Sequence, residues 1–159
     1  GREVCIRQGE ICVRGDTLFA GYFQAGELVL PLDEEGWFHT RDKGRLTPGG
    51  DLVVEGRLDN LFISGGENIQ PETIEQRLVD HPAVAQALVV PVPSDEWGHR
   101  PAAFIDWHGE PASPAELAAW IRVSLPGFMV PDQWHPWPDL GGNLKPSRTL
   151  LARSLRQEE

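Results

Sequence analysis

The segment Gly56–Glu72 constrains the fold of this chain more than any other, because several local structures meet in it. The adjacent glycines Gly65-Gly66 permit the positive φ angles of a tight turn and a close approach of another group to the backbone. Pro71 and Glu72 suit the first turn of a helix, where proline needs no N–H partner and a carboxylate faces the positive end of the helix dipole. This change from strand-rich to helix-containing sequence predicts a domain boundary, with a linker at 57–60.

The residues before this boundary, 1–56, are expected to be β-rich. Val4–Arg7 and Glu10–Arg14 read as two strands around a short glycine-containing turn. A two-residue turn would place Cys5 opposite Cys12. Opposed cysteines could form a disulfide, but the sequence starts without a secretion signal, which favours two reduced thiols in the cytoplasm.

The residues after the boundary, 61–159, alternate between helix and strand patterns. A helix is predicted from Pro71 to Leu78, and apolar strands at Val84–Val92 and Pro101–Trp107. Ser113 has the character of a helix N-cap, with Pro and Glu following, and Ser147 is expected to cap a last helix. The order β-α-β-β-α-β-α predicts a compact α+β fold with helices packed on a small sheet.

Composition limits the classes of function. The 159 residues are 40% hydrophobic, enough for a core, and carry a formal net charge of −10. This charge argues against a basic nucleic-acid interface and against docking on an anionic membrane. No apolar run is long enough for a membrane span. The chain begins with Gly1 instead of Met, so we expect a piece of a longer protein. No metal site is expected, because the histidines lack zinc-site spacing: His39, His81, His99, His108 and His135.

Two charged residues near the boundary suit nucleotide recognition. Asp42 follows a predicted strand and precedes a glycine turn, and a carboxylate there can accept two hydrogen bonds from a ribose diol. The alternative is a carboxylate that only caps the turn. Arg57 offers a planar fork of donors for ribose or phosphate oxygens. Its alternative role is a salt bridge with a nearby acid.

Three further elements have both a functional and a structural interpretation. Asp59 suits a hinge or a loop cap. Ser64, Gly65, Gly66 and Glu67 form either an ordinary hairpin or a side-chain-free passage for a slender ligand. Lys145 follows a flexible Gly-Gly-Asn sequence and is either a surface lysine or a mobile cation delivered to a distant pocket. Arg148 is a weaker candidate for a phosphate contact.

Three separated motifs occur together in this chain: Phe38–Asp42, Gly56–Glu72 and Gly141–Lys145. In this order they resemble the C-terminal part of acyl-adenylate-forming, or AMP-binding, CoA ligases. Within that family they are most similar to the branch that acts in menaquinone biosynthesis. The family usually has glycine immediately before the aspartate of the first motif, whereas this chain has Arg41.

The resemblance implies a role for each candidate. Asp42 and Arg57 would bind the nucleotide, and Asp59 would be the hinge about which a small lid domain rotates. Lys145 would be catalytic in forming the acyl-adenylate from ATP, Mg²⁺ and a carboxylic acid. Ser64, Gly65, Gly66 and Glu67 would line the CoA channel in the second, thioester-forming step.

The resemblance also implies a fold: a small mixed α/β lid domain at 61–159, preceded by a β-rich remnant of the N-terminal domain's barrel at 1–56. The phosphate loop and the metal-binding carboxylate would lie in the N-terminal adenylation domain, so these residues alone are expected to be inactive. Two alternatives remain open: a fatty or aryl acid as substrate, and a non-catalytic domain that binds a nucleotide or a protein partner.

Overall fold

The structure is a computed structural model that describes residues 1–139 and 146–156. The chain divides into two compact units, Gly1–Asp59 and Asn60–Glu159. None of the helices among the described residues has the length and apolar character needed to cross a membrane.

The first unit is built around a four-stranded antiparallel sheet. Its strands are β1 (Arg2–Arg7), β2 (Glu10–Gly15), β5 (Phe38–Leu46) and β6 (Leu52–Arg57), which lie side by side in this order. The connection from β2 to β5 contains a separate hairpin of β3 (Tyr22–Gln24) and β4 (Glu27–Val29). The described part of this unit is therefore an open β-sheet with edges at β1 and β6.

The turn between β1 and β2 fixes the register of the first hairpin. Gln8 and Gly9 have φ angles of 49° and 83°, as a two-residue turn with two left-handed residues requires. Cys5 therefore lies opposite Cys12, which confirms the predicted pairing, and both carry free thiols. Cys12 is fully buried, and burial raises the pKa of its thiol.

Among its described residues, the second unit contains a hairpin, a three-stranded sheet, three α-helices and a short 3-10 helix at Gly127–Met129. In chain order the other elements are β7 (Phe62–Ser64), β8 (Glu67–Ile69), α1 (Pro71–Val79), β9 (Val84–Ser94), β10 (Gly98–Trp107), α2 (Pro114–Arg122), β11 (Gln133–Pro136) and α3 (Arg148–Leu155). The order of the three-stranded sheet is β11-β10-β9, with β9 and β10 antiparallel and β10 and β11 parallel.

Helices cover both faces of this sheet. On one face, Ile74 and Leu78 of α1 and Leu117 of α2 pack with Val89 in the larger core cluster. On the other face, side chains of α3 pack against a smaller cluster that includes Phe104. Each fully buried aliphatic side chain contributes about 1.5–3 kcal/mol relative to exposure. The α+β fold predicted from the sequence is confirmed.

The helix starts are set by local hydrogen bonds. The Ser113 side chain accepts a hydrogen bond from the Glu116 N–H, and the Ser147 side chain accepts one from the Leu150 N–H. Each serine satisfies one of the donors that a helix leaves unpaired at its N-terminus. Both predicted caps are therefore confirmed.

One element differs from its prediction in a way that affects the site. The sequence predicts a short strand that ends before Asp42, whereas β5 runs on to Leu46. Asp42 is therefore inside a strand instead of after one. The reason is an irregularity in the pairing of β5 with β2, which allows the strand to continue past the predicted turn.

Candidate functional site

A bulge in β5 carries Asp42. On β2, Cys12 pairs with His39 and Glu10 pairs with Lys43, so β5 uses two more residues than β2 between these pairs. The two additional residues of β5 therefore lie within the segment 40–42. Arg41 has a φ angle of 64°, in the left-handed region that favours glycine. The glycine that the family resemblance implies at this position would adopt such an angle without strain.

Hydrogen bonds with the Glu10 and Thr40 side chains stabilise the backbone of the bulge. The Glu10 carboxylate accepts a hydrogen bond from the Arg41 N–H at 2.8 Å and contacts His39 Nδ1 with its other oxygen at 2.8 Å. The Thr40 hydroxyl donates to the Ile11 carbonyl and accepts from the Asp42 N–H. Burial by itself raises the pKa of Glu10, but the hydrogen bonds from His39 and Arg41 outweigh it, and the net effect is a lowered pKa.

The bulge brings the nucleotide-binding candidates together. Asp42 lies directly opposite Arg57 on β6, and Arg57 Nη1 donates to Asp42 Oδ1 at 3.1 Å. The same nitrogen donates to the Thr40 carbonyl at 3.1 Å. Arg57 Nη2 donates to Asp59 at 3.1 Å, and Arg41 donates twice to the other oxygen of Asp59, at 3.1 and 2.8 Å.

Charge is balanced within this cluster of Arg41, Asp42, Arg57 and Asp59. Hydrogen bonds from Arg41 and then Arg57 lower the pKa of Asp59, and the hydrogen bond to Asp59 is the main reason why the pKa of Arg57 is raised. The Asp42 and Arg57 side chains are 35% and 45% exposed, so solvent and a ligand can both reach them. An accessible carboxylate beside a guanidinium fork can accept from a diol and donate to an adjacent oxygen.

The second set of candidates forms a hairpin in the other unit. Ser64 and Glu67 are the paired residues of β7 and β8, and Gly65-Gly66 is the turn between them, with φ angles of 58° and 86°. A Cβ added to Gly65 would lie 2.5 Å from Cε3 of Trp97, whereas a Cβ on Gly66 would meet open space. The ordinary hairpin interpretation is thus correct for the backbone, and the turn also presents a surface without side chains.

Arg100 stabilises this hairpin. Its place in the sequence, after Trp97-Gly98-His99, favours a solvated loop and leaves a contact with CoA as the alternative, whereas the structure has it on β10. Arg100 on β10 donates to the buried Ser64 hydroxyl at 3.3 Å and to the Phe128 carbonyl at 2.8 Å. It also forms a two-point ion pair with Asp132, at 2.7 and 2.8 Å, which is the main reason why its pKa is raised. An open cleft of about 360 Å³ lies here, lined by Trp97, Arg100, Gly127, Phe128 and Asp132. The ion pair of Arg100 with Asp132 joins residues 32 positions apart, so the local sequence could not predict it.

The predicted catalytic residue, Lys145, lies outside the described residues. Arg148, the weaker phosphate candidate, is described and has protein partners. Its guanidinium forms an ion pair with Glu75 on α1 and donates to the Val89 carbonyl at 2.6 Å. Because Arg148 is 22% exposed and hydrogen-bonded on two sides, it anchors the start of α3 to α1 and β9.

The fold also assembles a cluster of potential metal ligands that the sequence does not indicate. Glu10, Cys12 and His39 place one potential ligand atom each within 4.8 Å of one another. Cys12 and His39 are 27 positions apart, so spacing gives no sign of the cluster. Only the pairing of β2 with β5 brings them together.

Comparison with known proteins identifies the family. Residues 73–141 match the family described as AMP-binding enzyme C-terminal domain. The 2-succinylbenzoate–CoA ligase of Salmonella typhimurium is 44% identical over 155 residues, which cover 96% of this chain and 34% of that protein. The chain carries an AMP-binding enzyme C-terminal domain. It is similar to the C-terminal part of these relatives, as the motifs predicted.

Solved structures show the same similarity in three dimensions. A variant of Escherichia coli MenE with bound OSB-AMS matches with a TM-score of 0.88 and 41% identity, covering 100% of this chain and 35% of that one. Bacillus subtilis o-succinylbenzoate CoA synthetase, in complex with the acyl-adenylate intermediate OSB-AMP, matches with a TM-score of 0.80 and 32% identity, over 94% of this chain and 33% of that one. The chain spans about a third of the length of these relatives.

Proposed function

We propose that these residues are the C-terminal part of an AMP-forming acid–CoA ligase whose acid is 2-succinylbenzoate, in menaquinone biosynthesis. The observation that carries the proposal is the pairing of Asp42, on the β5 bulge, with Arg57 on β6, in a chain that aligns over 96% of its length with a 2-succinylbenzoate–CoA ligase. The reaction would occur in the cytoplasm, where ATP and CoA are available.

In the first half-reaction, a carboxylate oxygen of the acid attacks the α-phosphate of ATP, and pyrophosphate leaves. Asp42 would accept hydrogen bonds from the ribose hydroxyls, and Arg57 would donate to the same ligand while remaining paired with Asp59. Lys145 would bring an ammonium group to the reacting oxygens and stabilise the charge that develops on phosphorus. Its position in a glycine-rich segment supports such a mobile role.

In the second half-reaction, the thiol of CoA attacks the acyl carbon of the adenylate, and AMP leaves. The Gly65-Gly66 turn would let a pantetheine arm pass close to the backbone, because Gly66 has open space where a side chain would project. Ser64 is buried below the turn and bonded to Arg100, and Glu67 is exposed on the far strand. The cleft lies next to this hairpin, because Trp97, which lines the cleft, also faces Gly65.

Mg²⁺ would accompany ATP, but the acidic residues of the candidate nucleotide site do not suit it as ligands. Asp42 is paired with Arg57, and Asp59 with both Arg41 and Arg57, so each carboxylate is already neutralised by a guanidinium. A hard divalent cation needs several free oxygen ligands. We assign its protein ligands, with the phosphate loop and the acid pocket, to an N-terminal adenylation domain beyond these residues.

The proposal is tested on the full-length protein with Lys145→Ala. ATP–pyrophosphate exchange with 2-succinylbenzoate should fall about 100-fold or more, as expected when a group that stabilises transition-state charge is removed. Thioester formation from supplied acyl-adenylate should stay within a few-fold of wild type. Lys43→Ala is the matched control, because it removes the other lysine of this sequence. The 159 residues alone should give no exchange.

The alternatives give different results in the same assays. A higher kcat/KM for a fatty or aryl acid than for 2-succinylbenzoate would support the ligase proposal but show that the acid substrate is a different one. No exchange with any acid would favour a non-catalytic domain that binds a nucleotide or a partner, whereas unchanged exchange in Lys145→Ala would contradict the catalytic role of Lys145. Equal losses in Lys145→Ala and Lys43→Ala would contradict a specific role for Lys145.

A further inference from the structure

The cluster of Glu10, Cys12 and His39 on β2 and β5 has the donor set of a transition-metal site. His39 Nδ1 lies 2.8 Å from Glu10 Oε2 and 3.6 Å from Cys12 Sγ. In a tetrahedral zinc site, bond lengths of about 2.0–2.3 Å place neighbouring ligand atoms roughly 3.3–3.6 Å apart. Small side-chain shifts would therefore open the cluster enough for an ion to enter.

We propose that Glu10, Cys12 and His39 bind a borderline divalent cation of the Zn²⁺ class. A thiolate and a carboxylate contribute two negative charges and a neutral imidazole contributes none, so the bound ion is electrically balanced. A thiolate–imidazole pair selects such ions over Mg²⁺ or Ca²⁺, which prefer oxygen ligands. Binding displaces the protons held by the Cys12 thiol and by His39 Nδ1, and both protons go to solvent.

A further carboxylate already orients the histidine. Asp33 Oδ2 contacts His39 Nε2 at 3.2 Å, on the opposite side of the ring from Glu10 and Cys12. Ligating histidines characteristically donate their second ring N–H to a carboxylate in this way, which fixes the tautomer and the ring plane. Asp33 is itself held by the N–H groups of Glu35 and Trp37. Asp33 is thus a positioning residue for the proposed site.

Burial and exposure suit a site with three protein ligands. Cys12 is fully buried, and the Glu10 side chain is only 15% exposed, so both are held rigidly in the sheet. The His39 side chain is 40% exposed, which provides an entry path and room for water as a fourth ligand. The ion would cross-link β2 and β5 directly beneath the bulge that carries Asp42.

The competing explanation needs no metal. An imidazolium at His39 would donate one hydrogen bond to Glu10 and another to Asp33, and the Cys12 thiol would be an ordinary buried side chain. The two explanations differ over Cys12, which is a ligand in one and a bystander in the other. The experiment therefore measures whether the sulfur of Cys12 binds the metal ion.

The test is a titration of the full-length protein with Co²⁺, after a chelator has removed any bound metal. We expect one equivalent to bind, with a thiolate-to-Co²⁺ charge-transfer band that Zn²⁺ abolishes by competition. Cys12→Ser should remove the band, whereas the matched control Cys5→Ser should retain it, because Cys5 lies on the neighbouring strand and outside the cluster. Asp33→Asn should weaken binding about 10- to 100-fold without removing the band.

Circular dichroism and thermal unfolding would establish whether each variant is folded. Bound metal should raise the melting temperature of wild type and of Cys5→Ser, but not of folded Cys12→Ser. The absence of a charge-transfer band in folded wild type, or a band that persists in Cys12→Ser, would overturn the proposal. These results do not depend on ligase activity, so they are separate from the tests of Lys145.

Discussion

The guanidinium of Arg57 donates hydrogen bonds to Asp42, to Asp59 and to the Thr40 carbonyl. The two carboxylates fix the plane of the fork before a ligand is present. A rigid fork loses little conformational freedom when it donates to a ligand, whereas a flexible ammonium must be ordered first. We therefore expect the planar shape of the Arg57 side chain to contribute to nucleotide binding as much as its positive charge does.

Arg57→Lys tests this distinction, because it keeps the charge and removes the fork. We expect the KM for ATP in pyrophosphate exchange by the full-length protein to rise about 10- to 100-fold, the range for losing a hydrogen bond to a charged group. The matched control is Arg45→Lys, on β5, where Arg45 forms an exposed ion pair with Glu55 at 3.2 Å. Equal effects of both substitutions would show that Arg57 has no specific contact with the nucleotide.

The hairpin of β7 and β8 combines a structural requirement with the side-chain-free surface that we propose for CoA. Its two glycines have similar left-handed backbones, but their surroundings differ: Gly65 faces the ring of Trp97 and Gly66 faces open space. The backbone N–H of Gly65 also donates to the Trp97 carbonyl at 2.9 Å, so the turn cannot easily move away from the ring. The structural requirement is stronger at Gly65, and the free surface lies at Gly66.

Alanine substitutions separate these two contributions. Gly66→Ala should lower the free energy of unfolding by about 1 kcal/mol, the cost of a left-handed non-glycine residue. Gly65→Ala should cost a further 1–3 kcal/mol or so, because its Cβ overlaps the Trp97 ring. Urea unfolding measures both. In a double-mutant cycle, Trp97→Ala should reduce the excess cost of Gly65→Ala; an excess that survives in the cycle would show that the ring is not its cause.

Elements set by local sequence could be predicted, and those set by pairing between distant strands could not. The Gln8-Gly9 turn and the serine caps at Ser113 and Ser147 depend on neighbouring residues, and all three were predicted correctly. The bulge that carries Asp42 depends on how β5 pairs with β2, and the sequence indicated a turn instead. The Glu10, Cys12 and His39 cluster depends on the same pairing.

At the scale of the whole molecule, the boundary between the compact units follows Asp59. We propose this residue as the hinge of the ligase cycle, as the family resemblance implies. Asp59 forms ion pairs with Arg41 and Arg57 on its own side of the boundary. A hinge residue must absorb a change of backbone dihedral angles while its neighbours remain fixed, and these ion pairs would hold Asp59 at one end of the linker.

Two substitutions at Asp59 distinguish a hinge from an ion-pair partner in the full-length protein. Asp59→Pro fixes φ near −65° and so removes rotation about the N–Cα bond of this residue. We therefore expect the ratio of the two half-reaction rates to change by about tenfold or more, equivalent to about 1.4 kcal/mol of barrier. Asp59→Ala loses the same ion pairs but keeps rotation, so it should change both half-reactions by a similar factor. The rates are measured by pyrophosphate exchange and by thioester formation from supplied acyl-adenylate. If both variants reduce both rates equally, Asp59 acts through its ion pairs and the rotation lies elsewhere in residues 57–60.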